Sequence, residues 1–123
     1  MDWQLFFTLI AGHYLADFGL QLPYMAEKKA KAFVEPIGFH VLTAHAAIHG
    51  LVAGVISGHF WVGVFVAVTH WIIDFGKASD LIDNRFPHTA GARRNGQTHG
   101  MYGIHLDQTL HILVLLVATG LVS

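Results

Sequence analysis

The stretch 37–73, IGFHVLTAHAAIHGLVAGVISGHFWVGVFVAVTHWII, decides the fold because it contains no Asp, Glu, Lys or Arg. It is too long for one membrane-spanning helix of about 20 residues and suits two such helices joined by a tight turn. Gly58 and its neighbours supply turn-forming residues between the two apolar runs. The stretch therefore predicts membrane spans at about 37–57 and 59–77.

Two further apolar segments flank this stretch, at about 3–22 and 104–122. Pro23 follows the first of them and provides a stop signal for a helix. No segment alternates apolar and polar residues in the manner of a half-buried strand. We therefore predict an all-α integral membrane protein, a four-helix bundle that forms a single domain over residues 1–123.

The composition supports a membrane protein. Hydrophobic residues make up 54% of the 123 residues and charged residues only 12%, and the mean hydropathy is +0.50. A soluble domain of this size has much surface to cover and needs more charge. The net charge of -1 gives no attraction to nucleic acid, which we do not expect as a partner. The absence of cysteine excludes thiolate metal sites, cysteine nucleophiles and disulfides.

The basic residues predict the orientation of the chain in the membrane. All seven lie in or beside the two predicted loops, 23–36 and 78–103, and none lies near either terminus. They are Lys28, Lys29, Lys31, Lys77, Arg85, Arg93 and Arg94. By the positive-inside rule both loops are cytoplasmic and both termini lie outside.

Each predicted span carries one pair of His or Asp residues four positions apart. The pairs are His13 and Asp17, His45 and His49, His70 and Asp74, and Asp107 and His111. This spacing places both members of a pair on one helix face. A carboxylate inside a membrane span is costly and indicates a function. Imidazole and carboxylate together are typical ligands of zinc, iron or manganese, so we predict that the eight residues hold one or two divalent ions.

A carboxylate that does not bind metal would serve as a general base, and Asp17 and Asp107 are the candidates for this catalytic role. Other polar residues near the pairs could orient a ligand or receive an anionic group of the substrate. They are Gln21, Lys28, Lys77 and Gln108.

These features predict a membrane-embedded, metal-dependent hydrolase with its site near the cytoplasmic leaflet. The expected partners are the bilayer and a lipid or lipid-linked small molecule, and self-association into a homo-oligomer stays open. Three alternatives use the same residues. They are a metal-ion or proton transporter, a non-catalytic metal- or haem-binding membrane module, and a neutral polar network that fixes helix register.

Four motifs also resemble a known family: HYLADFGLQ (13–21), HAAIH (45–49), HWIIDFGK (70–77) and DQTLH (107–111). They resemble a bacterial and phage membrane-protein family catalogued as domain of unknown function 3307. The resemblance implies a small helical protein of the bacterial inner membrane with no assigned activity. More distantly, the pattern of His and Asp in helices is similar to membrane-bound proteins labelled as metal-dependent hydrolases.

Overall fold

The computed structural model describes residues 1–20, 23–29, 36–78 and 101–123, and within these ranges the ordered elements are helical, with no strand. A π-helical segment, Leu15–Gly19, directly follows the first α-helix. The α-helices in chain order are α1 (Trp3–Tyr14), α2 (Pro23–Lys29), α3 (Pro36–Ser57), α4 (Phe60–Ala78) and α5 (Met101–Val122). The all-α prediction is confirmed.

The helices differ from the predicted spans and loops in three places. The first span changes from α-helix to the π-helical segment at Leu15. The segment 23–36, predicted as a loop, contains α2, whose first residue is Pro23. Proline is favourable there because the first N–H of a helix has no intrahelical partner to lose. Most of the predicted loop 78–103 lies outside the described residues, and α5 begins inside it at Met101.

The start of α1, the turn between α3 and α4, and the end of α5 lie at the same end of the molecule. The Asp2 carboxylate caps α1 by accepting a hydrogen bond from the Leu5 N–H at 3.0 Å. The Asp2 N–H donates to the Ser123 hydroxyl at 3.1 Å, which ties the start of α1 to the end of α5. Gly58 closes the turn with a φ of 70°, a conformation that favours glycine.

Four helices pack in a ring. α1 packs against α3 and α5, α4 packs against α3 and α5, and the short α2 lies on α3. The α3–α4 contact is the closest, because two glycines face each other across it. A Cβ atom on Gly50 would lie 2.6 Å from the Gly63 carbonyl oxygen, and one on Gly63 would lie 2.7 Å from the Gly50 oxygen. The two backbones therefore touch directly.

The interior of the ring has two halves of opposite character. The apolar half lies at the end that holds the termini, and its buried residues are Phe6, Leu9, Ala53, Val62, Val66, Leu115 and Ala118. The His/Asp half occupies the rest of the interior and contains buried histidines and aspartates from the same helices. A single set of helices thus encloses an apolar core and a polar cluster, one after the other along the bundle axis.

The outward faces of the long helices are apolar. Leu51 and Val55 on α3, Val68 on α4, and Val117 on α5 are all more than half exposed. Among the described helices, only Pro36–Ser57 has the length and apolar character that crossing a bilayer requires. Phe60–Gly76 and Asp107–Val122 are apolar but shorter.

Candidate metal centre

The eight predicted site residues lie in the His/Asp half, and the structure brings all of them into one cluster. Seven of them are buried, with His45 at 0% and His70 at 2% exposure. Asp17 is the most accessible, with its side chain 11% exposed. The pairs face inward because the opposite faces of their helices carry the exposed aliphatic side chains.

Asp17, in the π-helical segment, is the meeting point of α1 and α3. Its Oδ1 atom accepts a hydrogen bond from His49 Nε2 at 3.1 Å and lies 3.3 Å from His45 Nε2. Its Oδ2 atom lies 3.4 Å from His13 Nε2. One carboxylate therefore faces three imidazoles, two on α3 and one on α1.

Asp74 has the same role on the opposite side of the interior. Its Oδ2 atom lies 3.3 Å from His70 Nε2 on its own helix and 3.6 Å from His45 Nε2. Its Oδ1 atom lies 3.8 Å from His111 Nε2 on α5. Asp74 thus joins α4 to α3 and α5.

The tautomer of His111 follows from its backbone contact. His111 Nδ1 lies 2.8 Å from the Asp107 carbonyl oxygen, which can only accept, so Nδ1 carries the proton. In the neutral ring Nε2 then presents a lone pair. This nitrogen is buried and has no hydrogen-bond partner among the described residues, although a carboxylate oxygen of Asp74 lies near it.

Gln108 links the remaining members of the cluster. Its amino group donates to Asp17 Oδ2 at 3.3 Å and to Asp107 Oδ2 at 3.4 Å. Carboxylate oxygens only accept hydrogen bonds, so the amide nitrogen of Gln108 must be the atom that faces both of them. The amide oxygen, Oε1, then faces His13. His13 Nε2 lies 3.3 Å from that oxygen and therefore donates to it.

The cluster fits a divalent metal ion by its donor set and its spacing. Bonds of about 2.0–2.2 Å to nitrogen and oxygen place neighbouring ligand atoms about 3–3.5 Å apart. The shortest His–Asp distances in the cluster, from 3.1 to 3.4 Å, match that spacing. Two sets of residues have ligand atoms that all lie within 4.8 Å of one another: Asp17, His45, His49 and His70, and His70, Asp74 and His111. These buried residues could hold a metal ion.

The predicted residues outside these sets fall in several places. His13 and Asp107 lie beside them and contact Gln108. Lys28 Nζ lies over the ring of Tyr24, at 5.9 Å from its centroid. Gln21 and the side chain of Lys77 lie outside the part of the chain that the structure describes.

The sequence did not predict the π-helical segment that carries Asp17. The Leu20 N–H bonds to the Leu15 carbonyl at 2.9 Å, five residues back, which widens the turn. Such widened turns are frequent at functional sites. No residue type in this segment signals it in advance.

Fold and cluster together define a class: a small helical bundle with a buried His/Asp cluster whose residues could hold a metal ion. Within that class, the profile described as "Protein of unknown function (DUF3307)" matches residues 5–123, and the chain belongs to this family. No curated protein and no solved structure matches the chain. The more distant similarity to metal-dependent hydrolases has no support in these comparisons.

Proposed function

We propose that the protein is a membrane-embedded, metal-dependent hydrolase whose His/Asp site lies near the cytoplasmic leaflet and acts on a lipid or lipid-linked substrate. The observation that carries the proposal is the lone pair of His111 Nε2, buried and directed toward a carboxylate of Asp74. A lone pair and an anion repel each other unless a cation lies between them.

A divalent cation satisfies this arrangement better than a proton does. The ring of His70 is also buried, and neither of its nitrogens has a hydrogen-bond partner with good geometry among the described residues. Buried polar atoms of this kind usually have a partner. One proton can serve only one such nitrogen, whereas one metal ion accepts several imidazoles at once.

The distribution of apolar surface supports the membrane part of the proposal. Leu51, Val55 and Leu121 are each at least two-thirds exposed, while the buried interior holds histidines and aspartates. In water such an exposed apolar surface would be unfavourable, whereas acyl chains would cover it. A helix shorter than a typical span can still cross a bilayer that thins locally. The basic loops then face the cytoplasm, as the positive-inside rule requires.

Each side chain has a distinct part in the proposed chemistry. A bound divalent ion supplies a Lewis acid and an activated water near neutral pH. Asp107 is the general base, because it lies beside the two metal-binding sets and belongs to neither. Gln108 holds the Asp107 carboxylate in place. Asp17, the most accessible member of the cluster, marks the side from which substrate approaches.

The apolar half favours a hydrolase over a transporter. A conduit needs a polar path through the bundle. Beyond the His/Asp half, however, the interior is filled by side chains such as Phe6, Val66 and Leu115. These side chains therefore block a path from the cluster toward the end that holds the termini. The carboxylates likewise favour a metal centre over a haem module, since haem iron bound by two histidines gives them no role.

The test uses the full chain, purified in detergent, loaded with Zn²⁺ and reconstituted in vesicles of phosphatidylethanolamine and phosphatidylglycerol. We expect release of a hydrolytic lipid product that stops when a chelator removes the metal. Asp107→Asn should retain the metal and lower the rate of product formation by at least about 100-fold, the usual contribution of a general base.

Asp2→Asn is the matched control. It makes the same carboxyl-to-amide change at an exposed position that caps α1, and asparagine caps as well as aspartate does. It should retain the full rate. Metal-loaded wild type that forms no hydrolytic product and instead carries Zn²⁺ across the vesicle membrane would replace the hydrolase with the transporter.

A further inference from the structure

We infer that the cluster is two adjacent metal sites rather than one, each built from two histidines and one aspartate. Site one consists of Asp17, His45 and His49, and site two of His70, Asp74 and His111. The inference rests on the proposed metal centre and specifies its composition. Two histidines with one carboxylate form a common three-ligand set that leaves positions open for substrate.

Site one belongs to the α1–α3 side of the bundle. Asp17 Oδ1 lies 3.1 Å from His49 Nε2 and 3.3 Å from His45 Nε2. A single carboxylate oxygen therefore faces two imidazole nitrogens one helical turn apart. His13 is left out because its Nε2 faces the Gln108 amide oxygen, whereas the Nε2 atoms of His45 and His49 face a carboxylate oxygen that can share a metal ion with them. Gln108 also occupies Asp17 Oδ2, which leaves Oδ1 as the ligand atom.

Site two belongs to the α4–α5 side. Asp74 presents one oxygen to each imidazole of this site: Oδ2 lies 3.3 Å from His70 Nε2, and Oδ1 lies 3.8 Å from His111 Nε2. His45 Nε2 lies 3.6 Å from Asp74 Oδ2 but only 3.3 Å from Asp17 Oδ1, which assigns it to site one. The proton on His111 Nδ1 is held by the Asp107 carbonyl, which leaves Nε2 for a metal. Each site thus draws its ligands from one pair of packed helices.

The stacking of two histidine rings separates the sites. The rings of His49 and His70 lie face to face, with centroids 3.7 Å apart and planes 20° from parallel. A metal bound to an imidazole nitrogen lies in the plane of that ring, where the lone pair points. Two nearly parallel rings at this distance cannot both direct lone pairs at one ion, so they serve two.

The contact between the stacked rings places the two sites next to each other, as in a known catalytic arrangement. Paired metal ions in hydrolytic enzymes lie about 3.5–4 Å apart and together stabilise the attacking and leaving oxygens of a displacement. Two sites whose His49 and His70 rings stack 3.7 Å apart are neighbours, as such a metal pair requires. Phosphate esters are the substrates that such pairs most often cleave, and they are the substrate class that this geometry favours.

The experiment counts ions. Purified full-length protein is stripped with chelator and titrated with Co²⁺, followed by visible absorption and elemental analysis. We expect two equivalents in wild type. Asp17→Asn with His49→Gln should leave one equivalent, and Asp74→Asn with His111→Gln should leave one. Mn²⁺ should give a magnetically coupled electron paramagnetic resonance spectrum in wild type and an isolated-ion spectrum in each variant.

The control is His59→Gln, which removes a histidine from the exposed turn and should leave both equivalents. Circular dichroism checks that each variant stays helical, and the single changes His49→Gln and His111→Gln replace any pair that unfolds. Wild type that binds one equivalent, lost entirely in either variant, overturns the two-site inference but keeps the metal centre. Wild type that binds none overturns the proposed function itself.

Discussion

The apolar half and the His/Asp half are built from the same helices, yet they differ in whether their buried polar atoms have hydrogen-bond partners. In the apolar half the buried Thr119 hydroxyl donates to the Leu115 carbonyl of its own helix at 2.9 Å and needs nothing more. In the His/Asp half His111 Nε2 has no such partner among the described residues. The buried Thr119 hydroxyl is satisfied within its own helix, whereas the His/Asp half contains buried nitrogens that could bind a metal ion.

This difference indicates that the apolar half contributes most to the stability of the fold. The helices of the apolar half associate through close packing, and the contact of Gly50 with Gly63 allows the closest approach in the bundle. The His/Asp half brings together three carboxylates, which repel one another unless a cation joins them. We interpret the apolar half as the support that holds the cluster together before metal binds.

The largest effect on stability should come from placing a carboxylate in the apolar half. Leu115→Asp places a carboxylate in the apolar cluster that contains Phe6 and Val66. His111 lies one helical turn away, but its ring nitrogens already face the Asp107 carbonyl and Asp74. We expect the free energy of unfolding to fall by about 3 kcal/mol or more, the usual cost of an uncompensated buried charge. Denaturation in detergent followed by circular dichroism measures the loss.

Leu115→Met is the control, because it conserves volume and should cost less than about 1.5 kcal/mol. If Leu115→Asp were as stable as Leu115→Met, water would reach the apolar half, and the contrast between the halves would disappear.

A smaller effect should come from forcing α3 and α4 apart. Gly63→Ala places a methyl group 2.7 Å from the Gly50 carbonyl oxygen and 3.2 Å from Gly54 Cα, where backbone cannot move aside cheaply. We expect a loss of about 2 kcal/mol in the free energy of unfolding, as in other overpacked cores. The shift should also weaken metal binding, because His45 and His49 on α3 move away from His70 on α4.

The control is Gly120→Ala, where the nearest atom to the new methyl group is the flexible end of Met1, at 3.9 Å. It should be neutral or slightly stabilising, since alanine favours the helix. Equal stability of the two variants would show that the α3–α4 contact can accept a methyl group without a packing cost.

The smallest effect should come from a residue that touches the cluster without joining either metal-binding set. Gln108→Leu removes the amide that holds Asp17, Asp107 and His13. Residues that orient metal ligands contribute about 10- to 100-fold to metal affinity, and we expect a loss of about tenfold in a Zn²⁺ titration. Gln4→Leu makes the same change at an exposed position of the apolar end and should leave the affinity unchanged.

Much of the fold could be predicted from the sequence because it depends on periodicity and composition. The charge-free stretch 37–73 gave α3 and α4 within one residue at each end, and Gly58 marked the turn between them. The four pairs could be placed on inward faces because helical spacing decides which residues share a face.

The roles within the cluster could not be predicted, because they depend on which atoms face each other. Helical spacing treats His13 and His49 alike, yet His13 donates to an amide while His49 meets a carboxylate oxygen. The position of Gln108 beside Asp107 predicts a residue that could orient a ligand, but only the structure shows that its side chain also contacts Asp17.

The π-helical segment also changes the direction in which the chain leaves α1. Each residue of an α-helix advances about 100° around the axis. The bond from Leu20 to Leu15 encloses one residue more than an α-helical turn, so the chain leaves α1 rotated by about that angle relative to an uninterrupted helix. The next described helix, α2, packs against α3. Deleting one residue of Leu15–Gly19 would leave His13 in place and swing the exit of the chain around the bundle, away from that contact.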